Sequence, residues 1–192
     1  MPMSPFEVVG VVSGILAVWL TTRQKIWCWP IGILSVVAFI VVFFRAKLYA
    51  AMGLQCVYVG LAAYGWYAWL HGGEGRGALQ VSHAPARVMG LLGVAGGAAT
   101  LALGWWLGRH TDEALPYLDA FTTAFSLIAQ WMQTRKRLEN WILWAVVDVV
   151  YVGMSLTQGL ALTSGLYVIY ISLAVMGYRD WRRSMRAGTV PA

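Results

Sequence analysis

Residues 7–35 read EVVGVVSGILAVWLTTRQKIWCWPIGILS, and residues 119–147 read DAFTTAFSLIAQWMQTRKRLENWILWAVV. Laid over one another without a gap, they place Ala17 on Ala129, Trp19 on Trp131, Thr22-Arg23 on Thr134-Arg135 and Trp29 on Trp141. The same 112-residue shift brings Gly53-Leu54 onto Gly165-Leu166, Tyr58 onto Tyr170, Gly65 onto Gly177 and Trp69 onto Trp181. Residues 7–69 and 119–181 share 14 identities in 63 pairs, where composition alone gives about 5. Each copy holds three apolar stretches of membrane length, which predicts a duplicated three-helix unit of the kind many transporters use.

The chain is 59% hydrophobic and 11% charged, with a mean hydropathy of +0.64. A domain of 192 residues cannot bury that much apolar surface in its own core, so lipid must be part of its solvent. Cys28 and Cys56 fall in or beside apolar stretches and read as small hydrophobes, not as a disulfide framework. Met1 to Phe6 carry no charge and Glu7 follows, which argues against a cleaved signal peptide. The net charge of +6 does not point to nucleic acid, because the basic residues sit in loops and tail.

Seven spans are expected, over 6–21, 27–44, 48–70, 88–107, 117–133, 141–157 and 160–178. The predicted fold is an all-α integral membrane protein: two parallel three-helix repeats joined by one linking helix, a 3+1+3 plan. One membrane transport domain covers 1–187, with repeat one at 6–70, the linking helix at 88–107 and repeat two at 117–182. A short tail, 188–192, follows. Arg23, Lys25, Arg76, Arg87, Arg135, Lys136, Arg137, Arg179, Arg182, Arg183 and Arg186 share one side of this plan, and Arg45, Lys47 and Arg109 the other. The N-terminus is therefore expected outside and the C-terminus in the cytoplasm. Trp19, Trp27, Trp66, Trp69, Trp105, Trp106 and Trp181 lie near span ends and are expected to be interfacial anchors.

The copies differ in a pattern. In the fifth span Asp119, Thr122, Thr123, Ser126 and Gln130 form one polar stripe at helical spacing. Their counterparts Glu7, Gly10, Val11, Gly14 and Val18 are mostly apolar or lack a side chain. The sixth span adds Asn140, Trp141, Trp144 and Asp148, against Cys28, Trp29, Gly32 and Val36. The seventh adds Thr163, Tyr167 and Tyr170. Serines and threonines in membrane helices often only bond back to their own helix or to a neighbour. A carboxylate inside a span is different: it costs about 2.5–3.5 kcal/mol on insertion scales. Asp148 and Gln130 are the strongest candidates for a site. An aromatic wall with a carboxylate and amides suits a planar cation bearing hydroxyl or amide groups.

The run from Asp119 through Gln130, then Arg135-Lys-Arg-Leu-Glu-Asn-Trp-Ile-Leu-Trp144 and Asp148, resembles the PnuC family of nicotinamide riboside transporters. Trp27-Cys-Trp-Pro30, Gly32, Leu54-Gln55, Tyr58 and Gly65-Trp-Tyr-Ala-Trp69 in the first copy agree. The resemblance covers about residues 6–183. It implies two three-helix bundles and a linking helix, similar in plan to the SWEET sugar transporters. It implies facilitated diffusion of nicotinamide riboside, a vitamin B3 precursor of NAD, into the cytoplasm across a bacterial inner membrane. Phosphorylation by a cytoplasmic riboside kinase would then trap the substrate. The resemblance also implies a homotrimer in the lipid bilayer, no cofactor and no nucleic-acid partner. Carried over by position, Trp141 and Trp144 would stack on the nicotinamide ring. Asn140, Asp148, Gln130, Thr123 and Ser126 would meet ribose or amide, with Gln55, Tyr58 and Tyr167 closing from the third and seventh helices.

The nearest alternative is the same fold carrying thiamine or riboflavin. A retinal protein is disfavoured, because Lys25, Lys47 and Lys136 all lie outside the spans. An enzyme is disfavoured as well: His71, His83 and His110 lie in loops without metal-ligand spacing, and no nucleophile stands beside a base. No ion coupling is expected, and Pro30, Gly32 and Gly153 are candidate bending points.

Overall fold

The structure is a computed structural model that describes residues 4–47, 49–112 and 114–188. Residues 1–3, the expected start of the third span at Leu48, and residues 189–192 of the tail lie outside the described residues. Helix α1 is Pro5–Thr22, α2 Cys28–Arg45, α3 Tyr49–His71, α4 Ala86–His110, α5 Pro116–Thr134, α6 Asn140–Thr157 and α7 Ala161–Ala187. The start of α1 is written in its sequence. Ser4 accepts a hydrogen bond from the Glu7 N–H at 3.2 Å, the Glu7 carboxylate accepts one from the Ser4 N–H at 2.6 Å, and Pro5 opens the first turn. A proline also opens α5, at Pro116.

The 112-residue shift reappears in the boundaries. Moved by that amount, α2 lands residue for residue on α6, from Cys28 on Asn140 to Arg45 on Thr157. The turns before these helices match too: Gln24 and Lys136, again 112 apart, both take left-handed backbone, with φ of 54° and 46°. Helix α7 runs beyond the expected end at 178, so Arg179, Arg182, Arg183 and Arg186 extend it as further helical turns up to the left-handed cap Gly188.

Among the described residues five helices, α1, α2, α4, α6 and α7, are long and apolar enough to cross a membrane. The other two are long enough, at 23 residues for α3 and 19 for α5, but less apolar. Gln55 with its neighbouring tyrosines and tryptophans lowers α3, and the polar stripe from Asp119 to Gln133 lowers α5. The principal contacts form a ring: α1 with α2, α2 with α3, α3 with α5, α5 with α6, α6 with α7, and α7 back to α1. Helix α4 stands outside it against α5. Gly96 and Gly104 allow that approach, because a Cβ there would collide with Phe125 and Tyr117.

Two tryptophan pairs build the core. Trp29 lies over Gly65 and Trp141 over Gly177, so that a methyl group at either glycine would fall inside the ring. Trp29 meets Trp69 edge to face at 5.2 Å and 87°, and Trp141 meets Trp181 at 5.3 Å and 86°. The copies then cross. The Trp69 indole N–H donates to the Gln133 carbonyl at 3.0 Å, and the Trp181 indole N–H donates to the Thr21 carbonyl at 2.9 Å. Thr21 and Gln133 are themselves 112 apart, so the two bonds are the same bond made in both directions.

This corrects the expectation for two anchors. Trp69 is 2% exposed and Trp181 fully buried, whereas Trp19, Trp27, Trp66, Trp105 and Trp106 are exposed as anchors are. Position near a span end cannot separate the two cases, since an indole N–H is satisfied by headgroups or by a carbonyl across a seam. Lys136 lies in the expected loop between α5 and α6, but not as a solvated charge. It is buried, lies 4.4 Å over the Trp69 ring and donates to the Gln24 Oε1 at 3.3 Å. Burial lowers its pKa from the ordinary lysine value to about 8.

The segment between α3 and α4 is strapped onto the second of these turns. The Ser82 N–H donates to the Lys136 carbonyl at 3.1 Å, and the Leu138 N–H to the Ser82 carbonyl at 3.0 Å. His83 pairs with Glu139 at 2.7 Å, and the Ala84 N–H donates to the same carboxylate at 2.9 Å. Burial works against the Glu139 charge, but these hydrogen bonds outweigh it and hold its pKa below the ordinary value.

Candidate functional site

A cavity of about 310 Å³ lies inside the ring, at the lower end of the usual range for small-molecule sites. Both copies line it, largely with equivalent residues. Gly14 and Ser126, Val18 and Gln130, Thr21 and Gln133, and Trp29 and Trp141 all face it. So do Gly32 and Trp144, Val36 and Asp148, Tyr58 and Tyr170, and Ala62 and Ala174. The tryptophan core that carries the crossed bonds lies at one end of it, since Thr21, Gln133, Trp29, Cys28 and Trp141 belong to both.

The shape is common to the copies but the chemistry is not. At three of these pairs the first copy offers Val18, Gly32 and Val36, and the second Gln130, Trp144 and Asp148. Trp144 is half-buried, with its N–H donating to the Gln133 Oε1 at 3.2 Å. That bond fixes the ring plane and leaves the indole facing the cavity. Trp141 is only 2% exposed, held between Gly177 and Trp181, and its N–H has no partner among the described residues. Trp144 therefore presents an open ring to the cavity, whereas most of Trp141 is taken up by the core.

A tyrosine cluster also lines the cavity. Tyr151 and Tyr167 stack at 4.5 Å and 9°, and Tyr170 lies 6.3 Å from Tyr167. A Cβ at Gly14 would come within 2.9 Å of the Tyr170 hydroxyl, so the missing side chain there makes room for that group. Asp148 is 5% exposed and, among the described residues, is the one acidic residue lining the cavity, which no described lysine, arginine or histidine lines. The ion pairs among the described residues, His83 with Glu139 and Arg183 with Asp180, do not involve it. The cavity thus offers one carboxylate, amides, hydroxyls and an aromatic face.

Of the residues expected at the site, Trp141, Trp144, Asp148, Gln130, Ser126, Tyr58 and Tyr167 are brought together. Asn140, Thr123 and Gln55 are not among the lining residues. Asn140 is fully buried at the start of α6, where its Nδ2 donates to the Arg137 carbonyl at 2.6 Å and closes the turn. Thr123 lies one turn before Ser126, and Gln55 one turn before Tyr58, and in both helices the lining starts at the later residue. Gln133, Tyr151 and Thr21 were not anticipated. Gln133 had a signal, since it continues the α5 stripe at i+3 from Gln130 and i+7 from Ser126. Among the described residues no cluster of three metal-ligating side chains occurs.

The comparisons with known proteins agree with this picture. The family model described as nicotinamide mononucleotide transporter matches residues 4–183. The chain belongs to the nicotinamide mononucleotide transporter family. Within this family it is similar to the nicotinamide riboside transporter PnuC of Escherichia coli, 29% identical over 209 residues that cover 96% of this chain and 87% of that protein. It is also similar to the riboflavin/roseoflavin transporter RibM of Streptomyces davaonensis, 29% identical over 188 residues that cover 96% of this chain and 88% of that protein. The crystal structure of the vitamin B3 transporter PnuC matches with a TM-score of 0.74 at 26% identity, over 96% of this chain and 83% of that one. The PnuC resemblance read from the α5 and α6 motifs is borne out, and the family is one of membrane transporters, not of enzymes.

Proposed function

We propose that this chain carries nicotinamide riboside across a bacterial inner membrane by facilitated diffusion. The observation that carries the reading is Asp148: a nearly buried carboxylate beside the Trp144 ring, in a cavity with no basic lining residue among the described residues. A pyridinium ring stacked on Trp144 is held by the indole face and by the carboxylate together. Gln130, Gln133, Ser126 and the tyrosine hydroxyls supply the donors and acceptors that ribose and carboxamide need. A phosphorylated nucleotide is disfavoured, because its anion would meet the carboxylate and no cation.

In this reading the copies are parallel repeats, 3+1+3, related by an axis along the membrane normal, with α4 as the link. The arginine-rich turns and the end of α7 face the cytoplasm and the N-terminus the outside. The transporter works as a homotrimer without ion coupling, and a cytoplasmic riboside kinase prevents return. Counterflow uptake of labelled nicotinamide riboside into proteoliposomes, challenged with the mononucleotide, thiamine and riboflavin, tests it. Nicotinamide riboside itself should compete best and the mononucleotide worst; accumulation driven by a proton or sodium gradient would exclude facilitated diffusion. Riboflavin is the second reading. RibM aligns to 96% of this chain over 188 residues where E. coli PnuC needs 209, so RibM is matched with fewer insertions.

A further inference from the structure

Gln133 is held at both ends. Its main-chain carbonyl accepts the Trp69 indole N–H from the other copy, and its side-chain Oε1 accepts the Trp144 indole N–H at the cavity wall. The equivalent residue, Thr21, makes only half of this connection. Its carbonyl accepts Trp181 from the other copy, but its hydroxyl donates back to the Ala17 carbonyl at 2.9 Å. The residue where Trp144 would have its counterpart is Gly32, which has no ring to hold. One seam between the copies is therefore wired to the aromatic wall and the other is not.

The crossed bonds lie at the end of the cavity next to the Gln24 and Lys136 turns. Trp69 and Trp181 touch each other there at 5.8 Å, and Lys136 caps Trp69. Opening that end means parting α3 from α5 or α7 from α1, and each parting breaks one indole-to-carbonyl bond. We propose that Gln133 is the positioning residue that couples the ring wall to closure of this end of the cavity, through the Trp69–Gln133–Trp144 chain of hydrogen bonds. It rests on the reading of the cavity as the transport site, though not on which vitamin fills it. A ring that stacks on Trp144 bears on the seam through Gln133; a ligand that avoids Trp144 does not.

Cys28 provides a built-in reporter, since it is 4% exposed, lines the cavity at this end and is a free thiol. The other described thiol, Cys56, is exposed and is removed as Cys56→Ser. In that background, without ligand, a water-soluble maleimide applied to the purified full-length protein should label Cys28 about fivefold faster in Trp69→Phe and in Trp181→Phe, each of which loses one cross-copy hydrogen bond but keeps a ring. Unchanged labelling in both variants would overturn the closure. The coupling is read separately, as equilibrium affinity for whichever of nicotinamide riboside, thiamine and riboflavin binds the unmodified protein most tightly. Trp69→Phe should change that affinity at least threefold when Gln133 is present and less than twofold in the Gln133→Leu background. Independent, multiplying effects would refute the coupling. The labelling arm uses no ligand, so failure of the nicotinamide riboside reading leaves its outcome intact and is recognised on its own.

Discussion

Gly65 and Gly177 can be set against Gly53 and Gly165. All four are conserved between the copies by the 112-residue shift, yet the structure divides them. A methyl group at Gly65 or Gly177 would enter the Trp29 or Trp141 ring, while one at Gly53 or Gly165 meets nothing within 4 Å. Neither ring has somewhere to go. Trp29 is fixed edge to face on Trp69, and Trp141 on Trp181, and both are 2% exposed. Overpacking a fixed core costs about 1–3 kcal/mol, and these sites belong at the upper end, about 2–3 kcal/mol. At about 2–4 °C per kcal/mol for a chain of this size, Gly65→Ala and Gly177→Ala should each lower Tm by about 5–10 °C. Gly53→Ala and Gly165→Ala should hold or raise it, because alanine is the better helix former by up to about 1 kcal/mol. Thermal unfolding of detergent-purified protein, followed by size-exclusion fluorescence, reads all four. Equal shifts at the tight and open glycines would refute the claim that the same tryptophan-on-glycine contact builds both copies.

The remaining predictions concern charge and the site. Asp148→Asn removes an attraction that Coulomb's law puts at about 3 kcal/mol for a cation 5 Å away at an effective dielectric constant of 20. Allowing for water in the cavity, binding of a cationic vitamin should weaken about thirtyfold, and that of neutral riboflavin less than threefold, by equilibrium titration. Gln130→Val, which copies Val18, should cost about one hydrogen bond, or about five- to tenfold in affinity, with Tm unchanged. Lys136 gives a pH signature. Its pKa is lowered by burial to about 8, so between about 8 and the ordinary 10.4 the unfolded chain binds more protons than the folded one, and stability rises with pH. In Lys136→Gln, which copies Gln24, that rise in unfolding midpoint should be missing. Glu139 has the opposite dependence: its pKa is depressed, so what it contributes through the strap is complete above the ordinary carboxylate range and is lost as the pH falls through the folded value. Glu139→Gln should remove that part of the acid sensitivity of the Ser82 and Leu138 amides in hydrogen exchange.

Much of the helical frame was legible because membrane helices announce themselves by length and composition. The duplication was legible too, because Trp29 with Gly65 and Trp141 with Gly177 are retained by packing that tolerates little change. The polar face of α5 was readable from its spacing, but depth along it was not. Thr123 and Gln130 share a face, and only the neighbouring helices decide that the cavity begins at Ser126. The turn bond of Asn140 and the burial of Lys136 were hidden for a related reason. A polar residue at a helix boundary reads as ligand or solvated charge until the backbone turn beside it is known. Asn140 closes such a turn, and Lys136 folds back over Trp69 from one. The indole N–H groups of Trp69 and Trp181 bond carbonyls 64 and 160 residues away, a pairing that no local pattern encodes.

The most direct test is a pair of calorimetric titrations on the same purified preparation, one with nicotinamide riboside and one with riboflavin. A cavity whose only lining charge among the described residues is Asp148 should bind the cationic riboside at one site per chain and riboflavin at least tenfold more weakly. Riboflavin binding as tightly as nicotinamide riboside, or more tightly, would contradict it.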